Sequence, residues 1–313
     1  MNLSYFEEKK LLKYNFPLSN VCSMKTGGNV KYAFLPSEKK DVVEIMEFLK
    51  TNRIKYKILG NGSNVLFPDC GYDGAVVLTS GMKEIYDINN GEYVSFDETN
   101  DKQERFIYVS AGVSLTAVSG KMSRLGYTGL EFAYGIPASV GGAVYMNAGA
   151  YGGEMGNVIS NVEYVDENGE FKYLDNEPEK NYFTYRHSFF MQHPEYVITG
   201  VILKLNKATD INPMEQAEKN MQARKGKQPL EYPSCGSAFK RPQGYYAGAL
   251  IEQAGLKGKN VGGAYVSEKH AGFIVNKGGA TTADVVALLA YVKEEVYKMS
   301  GVVLEPEIRI IED

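Results

Sequence analysis

Ile58-Leu59-Gly60-Asn61-Gly62-Ser63-Asn64 and, further along, Gly135-Ile136-Pro137-Ala138-Ser139-Val140-Gly141-Gly142-Ala143 are the two stretches that decide how this chain is read. In the first, the strand pattern Lys55–Leu59 runs into a glycine loop, which invites a dinucleotide-fold interpretation. That interpretation fails, because Val65 stands at the third glycine position and Phe67-Pro68-Asp69 interrupts any following helix. Gly258-Lys259-Asn260 is not a nucleotide-triphosphate loop either, since no Ser or Thr follows the lysine. One glycine loop alone reads equally well as a turn. Two of them, the second in a run of small residues, point to backbone amides lining an anion cradle.

Working outward, glycine is the informative excess, 33 residues gathered in a few loops. Glycine is needed where φ is positive or where backbone must approach something without a Cβ between them. Lys and Arg number 34 against 38 Asp and Glu, a net charge of −4. Such a chain has no general attraction for nucleic acid or an anionic membrane, so a phosphate ligand must be held locally. No apolar run reaches the roughly 18 residues of a membrane span, and residues 1–10 lack the apolar core of a signal peptide. Three widely spaced cysteines, Cys22, Cys70 and Cys235, fit a reducing compartment. A cytoplasmic protein is expected. Three histidines without metal-ligand spacing predict no metal site.

Hydrophobic periodicity predicts helices at about 5–14, 39–52 (capped by Ser37), from Ser114 to Gly126, 214–224, 247–254 and 283–299. Strands are expected at 55–59, 74–79, 93–96, 107–111, 162–166, 171–174, 196–205, 272–276 and 308–311. Without clean βαβ alternation the class is α+β. The break at Lys207–Pro213 suggests a first domain at 1–207, in two subdomains divided near residue 80, and a smaller second domain at 208–313.

The two glycine stretches together resemble the FAD-binding domain of the vanillyl-alcohol oxidase and p-cresol methylhydroxylase type. More narrowly, the chain resembles the UDP-N-acetylenolpyruvoylglucosamine reductase family. The resemblance also rests on Met24-Lys25-Thr26-Gly27-Gly28, Asn147-Ala148-Gly149-Ala150-Tyr151-Gly152, Tyr185-Arg186, Gly236-Ser237-Ala238-Phe239-Lys240-Arg241-Pro242, Ala249-Leu250-Ile251, His270-Ala271-Gly272-Phe273 and Glu307-Ile308-Arg309, in family order. It implies a two-part FAD-binding domain with a smaller C-terminal α+β substrate domain. It also implies non-covalent FAD and NADPH as electron donor. The substrate would be UDP-N-acetylglucosamine enolpyruvate, reduced to UDP-N-acetylmuramate. The rapid return from Arg186 to the strand at Val197 resembles the family's shorter, second type, which lacks the loop bearing a substrate-covering tyrosine.

The resemblance further implies roles. Arg186 would stabilise the enolate-like charge that develops after hydride addition, assisted by Glu307, and Ser237 would supply the proton. FAD contacts are implied at Leu59, Gly60, Asn61, Gly62, Ser63, Asn64, Ile136, Pro137, Ala138, Ser139, Gly141, Gly142, Ala143, Ala148, Gly149 and Ile198. Substrate contacts are implied at Tyr185, Arg224, Lys227 and Lys240, the last two, with Arg186, also candidates to support a Ser237 alkoxide. Taken alone, Arg186 would read as a surface ion pair and Ser237 as a turn residue. No obligate protein partner is evident. A Cys–His hydrolase using Cys235 with His187 or His270 has no supporting spacing. Two alternatives remain: a flavoprotein oxidase or dehydrogenase of the same fold acting on another hydroxy acid or sugar, and a non-enzymatic sugar-nucleotide binder.

Overall fold

The computed structural model describes residues 2–312 of an α+β protein. Along the chain run α1 (Leu3–Glu8), β1 (Leu12–Pro17), β2 (Asn29–Phe34), α2 (Lys39–Thr51), β3 (Tyr56–Leu59), β4 (Val65–Leu66), β5 (Tyr72–Leu78), β6 (Ile85–Asn89), β7 (Glu92–Ser95) and β8 (Glu104–Ser110). The middle of the chain holds α3 (Leu115–Arg124), β9 (Tyr127–Thr128), α4 (Val140–Tyr145), β10 (Gly149–Ala150), β11 (Gly153–Glu154), β12 (Ile159–Val165), β13 (Phe171–Asp175), β14 (Phe183–Thr184), β15 (His187–Ser188) and β16 (Val197–Lys207). The remainder is α5 (Pro213–Lys227), β17 (Ser234–Ser237), α6 (Ala247–Gln253), β18 (Asn260–Val261), β19 (Ala264–Val266), β20 (Phe273–Asn276), α7 (Thr282–Ser300) and β21 (Arg309–Ile310).

The chain forms two compact units that do not follow a single cut at residue 207. The first comprises the residues up to Lys13, Tyr32–Asn61 and Gly74–Ala223; the second comprises Tyr14–Lys31, Gly62–Asp73 and everything from Arg224. The helix expected at 214–224 extends to Lys227, so the passage between units falls inside α5 rather than in the breaker-rich segment before it.

The first unit has two cores. One packs α1 and α2 against the sheet β1-β2-β5-β3, in which β3 and β5 are parallel, around Phe6, Phe34, Ile45, Leu49 and Val77. The other lies on the sheet β13-β12-β16-β8-β6-β7, with β9 also paired to β16, and includes Val109, Val140, Val144, Val162 and Val201. Val201 sits opposite Val162 on one side and Val109 on the other, so the long strand β16 fixes the register of that core. A half-buried ion pair joins the two halves of this unit. Lys39 of α2 reaches Glu163 of β12 at 2.7 Å, and Thr199 Oγ1 donates to the same carboxylate at 2.9 Å.

The second unit packs α6 and α7 on the sheet β17-β20-β19-β18 around Leu250, Ile274, Leu288 and Val292. Its inserted segment is bound by main chain and by a helix cap. Strand β4 pairs in parallel with β21, and the Asp69 carboxylate accepts the N–H groups of Thr282 and Ala283 at 2.8 and 2.9 Å. Asp69 thereby satisfies orphan donors at the α7 N-terminus, where negative charge is also favoured by the helix dipole.

Several expectations are corrected. The first helix ends at Glu8, not near residue 14, because Lys10 adopts φ 59° and the chain turns into β1. The cap of α2 is Glu38, since the Asp41 carboxylate gathers the N–H groups of both Ser37 and Glu38 and the Ser37 hydroxyl. Strand β6 is absent from the expected set because its inward residue is an aspartate, Asp87, paired in the interior with Arg105 at 2.7 Å. Helix α4 is absent because two glycines are poor helix formers; the Ser139 cap and burial of Val140, Ala143 and Val144 stabilise it instead.

Candidate active site

In the first unit the two glycine stretches meet. A Cβ built on Gly60 would lie 2.2 Å from Ser139 Oγ, so only glycine allows the loop after β3 to pass that hydroxyl. Ser139 is fully buried and caps α4, its hydroxyl accepting the Gly142 N–H at 3.3 Å. Gly141 has a different role from the one its type suggests. Its N–H already donates to Ala111 O at 2.8 Å, and a Cβ there would come within 2.7 Å of the Ala111 Cβ. It is a close-packing glycine that seats α4 on the end of β8. Such a cradle, closed to any side chain at 60 and edged by a buried hydroxyl, fits a phosphate group brought close against backbone.

Of the neighbouring candidates, Leu59, Ala138 and Ala143 are buried, Ile136 is half-buried and Pro137 is exposed. Ile198 is 5% exposed and its side chain belongs to the larger core. It shares that core with Ala138, Val140 and Ala143, and main chain links the same elements: the adjacent Thr199 O accepts from Ala111 N, and Ala111 O accepts from Gly141 N. Asn61 lies in the first unit, whereas Gly62, Ser63 and Asn64 belong to the second.

Arg186 occupies the tip of the short hairpin β14–β15, whose pairs are Phe183↔Ser188 and Thr184↔His187. Its φ is 53°, a left-handed conformation that costs a non-glycine residue roughly 1–2 kcal/mol. Three hydrogen bonds offset this, at about 1 kcal/mol each. Arg186 Nη2 donates to Gly149 O at 3.2 Å, Asn147 Nδ2 donates to Thr184 O at 2.8 Å, and Ser188 Oγ donates to Tyr145 O at 2.6 Å. The Arg186 guanidinium also lies 5.2 Å from the ring of the exposed Tyr185. Ala148 and Gly149 are therefore part of the arginine's support; Ala148 N–H closes the end of α4 on Ala143 O at 2.8 Å.

In the second unit, Ser237 ends β17 after a bulge. Ser234 pairs with Val275 and Ser237 with Phe273, so β17 carries one residue more than β20 over that interval. The extra residue is accommodated at Gly236, whose φ is 74°. The bulge sends Cys235 into the core and leaves Ser237 half-buried. Residues 238–240 then run beside 305–307: Glu307 N–H donates to Ala238 O and Lys240 N–H donates to Glu305 O, both at 2.9 Å. From the other side Asn64 Nδ2 donates to Glu307 O at 3.0 Å, and Asn64 O accepts the Arg309 N–H at 3.1 Å. Asn64 is thus tied to Glu307 by side chain and main chain, and Glu307 to the residue after Ser237 by main chain.

This arrangement separates two glutamates that strand alternation left on one face. Glu305 is exposed and forms a salt bridge with Lys240, whereas Glu307 is half-buried with both of its peptide groups held. Arg224 and Lys227 lie in the last turn of α5, where positive charge is favoured. Lys227 is exposed; Arg224 is buried and donates to Gln228 Oε1 at 3.4 Å. A Cys–His hydrolase finds no support, since Cys235 is 2% exposed and burial pushes its thiol up to about 11.

Sequence reasoning did not single out Asn147, Ser188 or Gly236 as individuals. An Asn before Ala-Gly in a run of small residues is a left-handed-turn signal that was available for Asn147. Nothing local marks Ser188, whose partner is distant in sequence.

Two family models match successive parts of the chain. The model of the UDP-N-acetylenolpyruvoylglucosamine reductase C-terminal domain matches residues 228–311, and the model of an FAD binding domain matches residues 30–175. The UDP-N-acetylenolpyruvoylglucosamine reductase of Latilactobacillus sakei is 41% identical over 302 residues, covering 96% of this chain and 93% of that protein. The one of Caldicellulosiruptor saccharolyticus is 40% identical over 312 residues, covering 99% and 93%. Among solved structures, the UDP-N-acetylenolpyruvylglucosamine reductase of Thermus caldophilus matches with a TM-score of 0.75 at 33% identity, covering 96% of this chain and 98% of that one.

Proposed function

Because the chain belongs to the UDP-N-acetylenolpyruvoylglucosamine reductase family, and is on that ground an FAD-dependent oxidoreductase, we propose that it reduces UDP-N-acetylglucosamine enolpyruvate to UDP-N-acetylmuramate at the expense of NADPH. The reaction would belong to the cytoplasmic synthesis of peptidoglycan precursors. FAD, held without a covalent link, would supply the hydride chemistry, with NADPH as the electron donor. The remaining work falls to this chain's own residues.

The cradle of Gly60, Ser139 and Gly142, seated by Gly141, would hold the pyrophosphate, with positions 59, 61, 136–138, 143, 148–149 and 198 of the same unit contacting the cofactor; Gly62, Ser63 and Asn64 are assigned to it by the family resemblance. Arg186 stabilises the negative charge that hydride addition pushes onto the substrate carboxylate, a role for which a donor fixed in advance is worth most. Glu307 assists in stabilising that charge through its carboxyl group, and Ser237 donates the proton to carbon. Tyr185, Arg224, Lys227 and Lys240 contact the sugar nucleotide; Lys240 does so in exchange for Glu305.

The observation that carries this reading is the backbone registration of Glu307 with Ala238, the residue that follows Ser237. An oxidase acting on a hydroxy acid needs a base that removes a proton, not a hydroxyl poised to give one, and a passive sugar-nucleotide binder needs neither residue. The test is an anaerobic absorbance trace of the purified protein with NADPH and then the enolpyruvyl sugar nucleotide. Bleaching of the flavin band followed by recovery is expected. Bleaching without recovery would point to another substrate, and a colourless protein that cannot be reconstituted with FAD would remove the whole reading.

A further inference from the structure

The hairpin carrying Arg186 has only two residue pairs, too few to hold a non-glycine tip at φ 53° by their own pairing. Its support comes from two side chains with no measurable solvent exposure, Asn147 and Ser188. They grip opposite arms of the turn. Asn147 Nδ2 donates to Thr184 O, two residues before Arg186, and Ser188, two residues after it, donates to Tyr145 O. Asn147 is also bound from behind: its Oδ1 accepts the Gly156 N–H at 2.9 Å, and its own backbone is left-handed at φ 42°. Two residues further on, Gly149 O receives the Arg186 guanidinium at 3.2 Å. Tyr145 and Asn147 lie at the C-terminal end of α4, whose N-terminal end carries Ser139, Gly141 and Gly142.

We propose that Asn147, seconded by Ser188, is a positioning residue for Arg186, setting the turn so that the guanidinium is fixed relative to the helix that carries the cofactor cradle. This rests on the role given to Arg186 above. Asn147 meets neither substrate nor cofactor in this scheme. It acts by donating to the main chain of the hairpin, which an aspartate cannot do. A guanidinium displaced by about an ångström would still bind a carboxylate but would stabilise the transition state poorly, a loss that can reach about a hundredfold.

The test uses the full-length FAD-loaded protein and four variants: Asn147→Gly, which keeps the left-handed backbone but removes the carboxamide, Asn147→Asp, Ser188→Ala and Arg186→Ala. Flavin reduction by NADPH and reoxidation by the enolpyruvyl sugar nucleotide are followed separately. Asn147→Gly and Asn147→Asp are expected to slow reoxidation at least about tenfold while flavin content and the reductive rate stay within about twofold. Ser188→Ala should act in the same direction if either asparagine variant folds poorly. Combined with Arg186→Ala, Asn147→Gly should add nothing, a non-additivity that a general loss of stability would not produce. Independently of activity, amide hydrogen exchange across 183–188 should quicken in Asn147→Gly while that of β16 does not.

Equal slowing of both half-reactions, or unchanged exchange in the hairpin, would overturn the inference. If Arg186→Ala slows reoxidation while the Asn147 and Ser188 variants do not, the positioning role falls and the reading of Arg186 stands. If Arg186→Ala leaves reoxidation intact, both fall together.

Discussion

Arg186 in the first unit and Ser237 in the second are mounted by opposite means. Arg186 sits in a strained turn held by the side chains of Asn147 and Ser188, and its own guanidinium completes the support. Ser237 sits on a bulged strand held by main-chain pairing on both flanks, with a glycine taking up the positive φ. A mount built from side chains can be dismantled by substitution without touching the fold, because neighbouring strands remain paired. A mount built from backbone is insensitive to most side-chain changes and vulnerable at one conformation-bearing glycine. Function can therefore be separated from folding more easily at Arg186 than at Ser237.

The largest expected effect removes the group itself. Ser237→Ala should leave flavin reduction by NADPH intact and slow reoxidation by the enolpyruvyl substrate about 10²–10⁴-fold, the usual contribution of a placed acid. Equal slowing of both half-reactions would show that the hydroxyl is not the proton donor. Next in size is Gly236→Ala. A Cβ there meets nothing within 4 Å, so the penalty is conformational rather than steric, roughly 1–2 kcal/mol for an L-residue held at positive φ. Melting temperature and reoxidation rate should fall together, and Gly236→Asn, which tolerates the left-handed region better, should recover part of both. Loss of reoxidation without loss of stability would mean that the backbone mount resembles the Arg186 one after all.

A smaller effect probes the backbone of the second unit away from Ser237. Asp69→Ala removes the carboxylate that caps α7 and should lower stability by about 1 kcal/mol, as other cap deletions do. Flavin binding and both half-reactions at 25 °C should be unchanged. A marked fall in reoxidation would show that Asp69 does more than fasten the fold.

These residues also show what was legible beforehand. The cradle could be read because glycine records a steric requirement in its own identity: Gly60 beside Ser139 has no room for a Cβ. The long amphipathic helices and β16 could be read from periodicity. The bulge before Ser237 could not, although Gly236 stands in plain view, because a glycine preceding a serine is compatible with any turn. Asp69 read only as part of a helix-breaking triplet, and its use as a cap depends on a partner more than two hundred residues away. Strand β6 was hidden by Asp87, whose burial is tolerated only because Arg105 neutralises it across the sheet. What escaped was long-range polar complementarity, which leaves no periodic trace in one sequence.

The smallest effect is one of pH, and it falls on the backbone mount. His270 is linked through Gly272 to the residue after Ser237: its Nδ1 accepts the Gly272 N–H at 3.1 Å, and Gly272 O accepts the Ala238 N–H at 2.8 Å. Burial lowers its pKa below the ordinary value of 6.5, the charges of Lys257 and Lys227 act in the same direction, and Glu252 opposes them. In the folded protein the ring is thus neutral where an unfolded chain would already bind a proton. Stability from this group is complete above about pH 6.5 and declines as pH falls through the folded-state pKa, since protonation destroys the acceptor for Gly272. His270→Gln keeps an acceptor and removes the titration. Melting temperatures between pH 8 and 5 should show the variant less stable at neutral pH, with the gap narrowing on acidification. Parallel curves would mean that the Gly272 turn is held by strand pairing alone, making the mount of Ser237 wholly main-chain and the contrast with Arg186 sharper still.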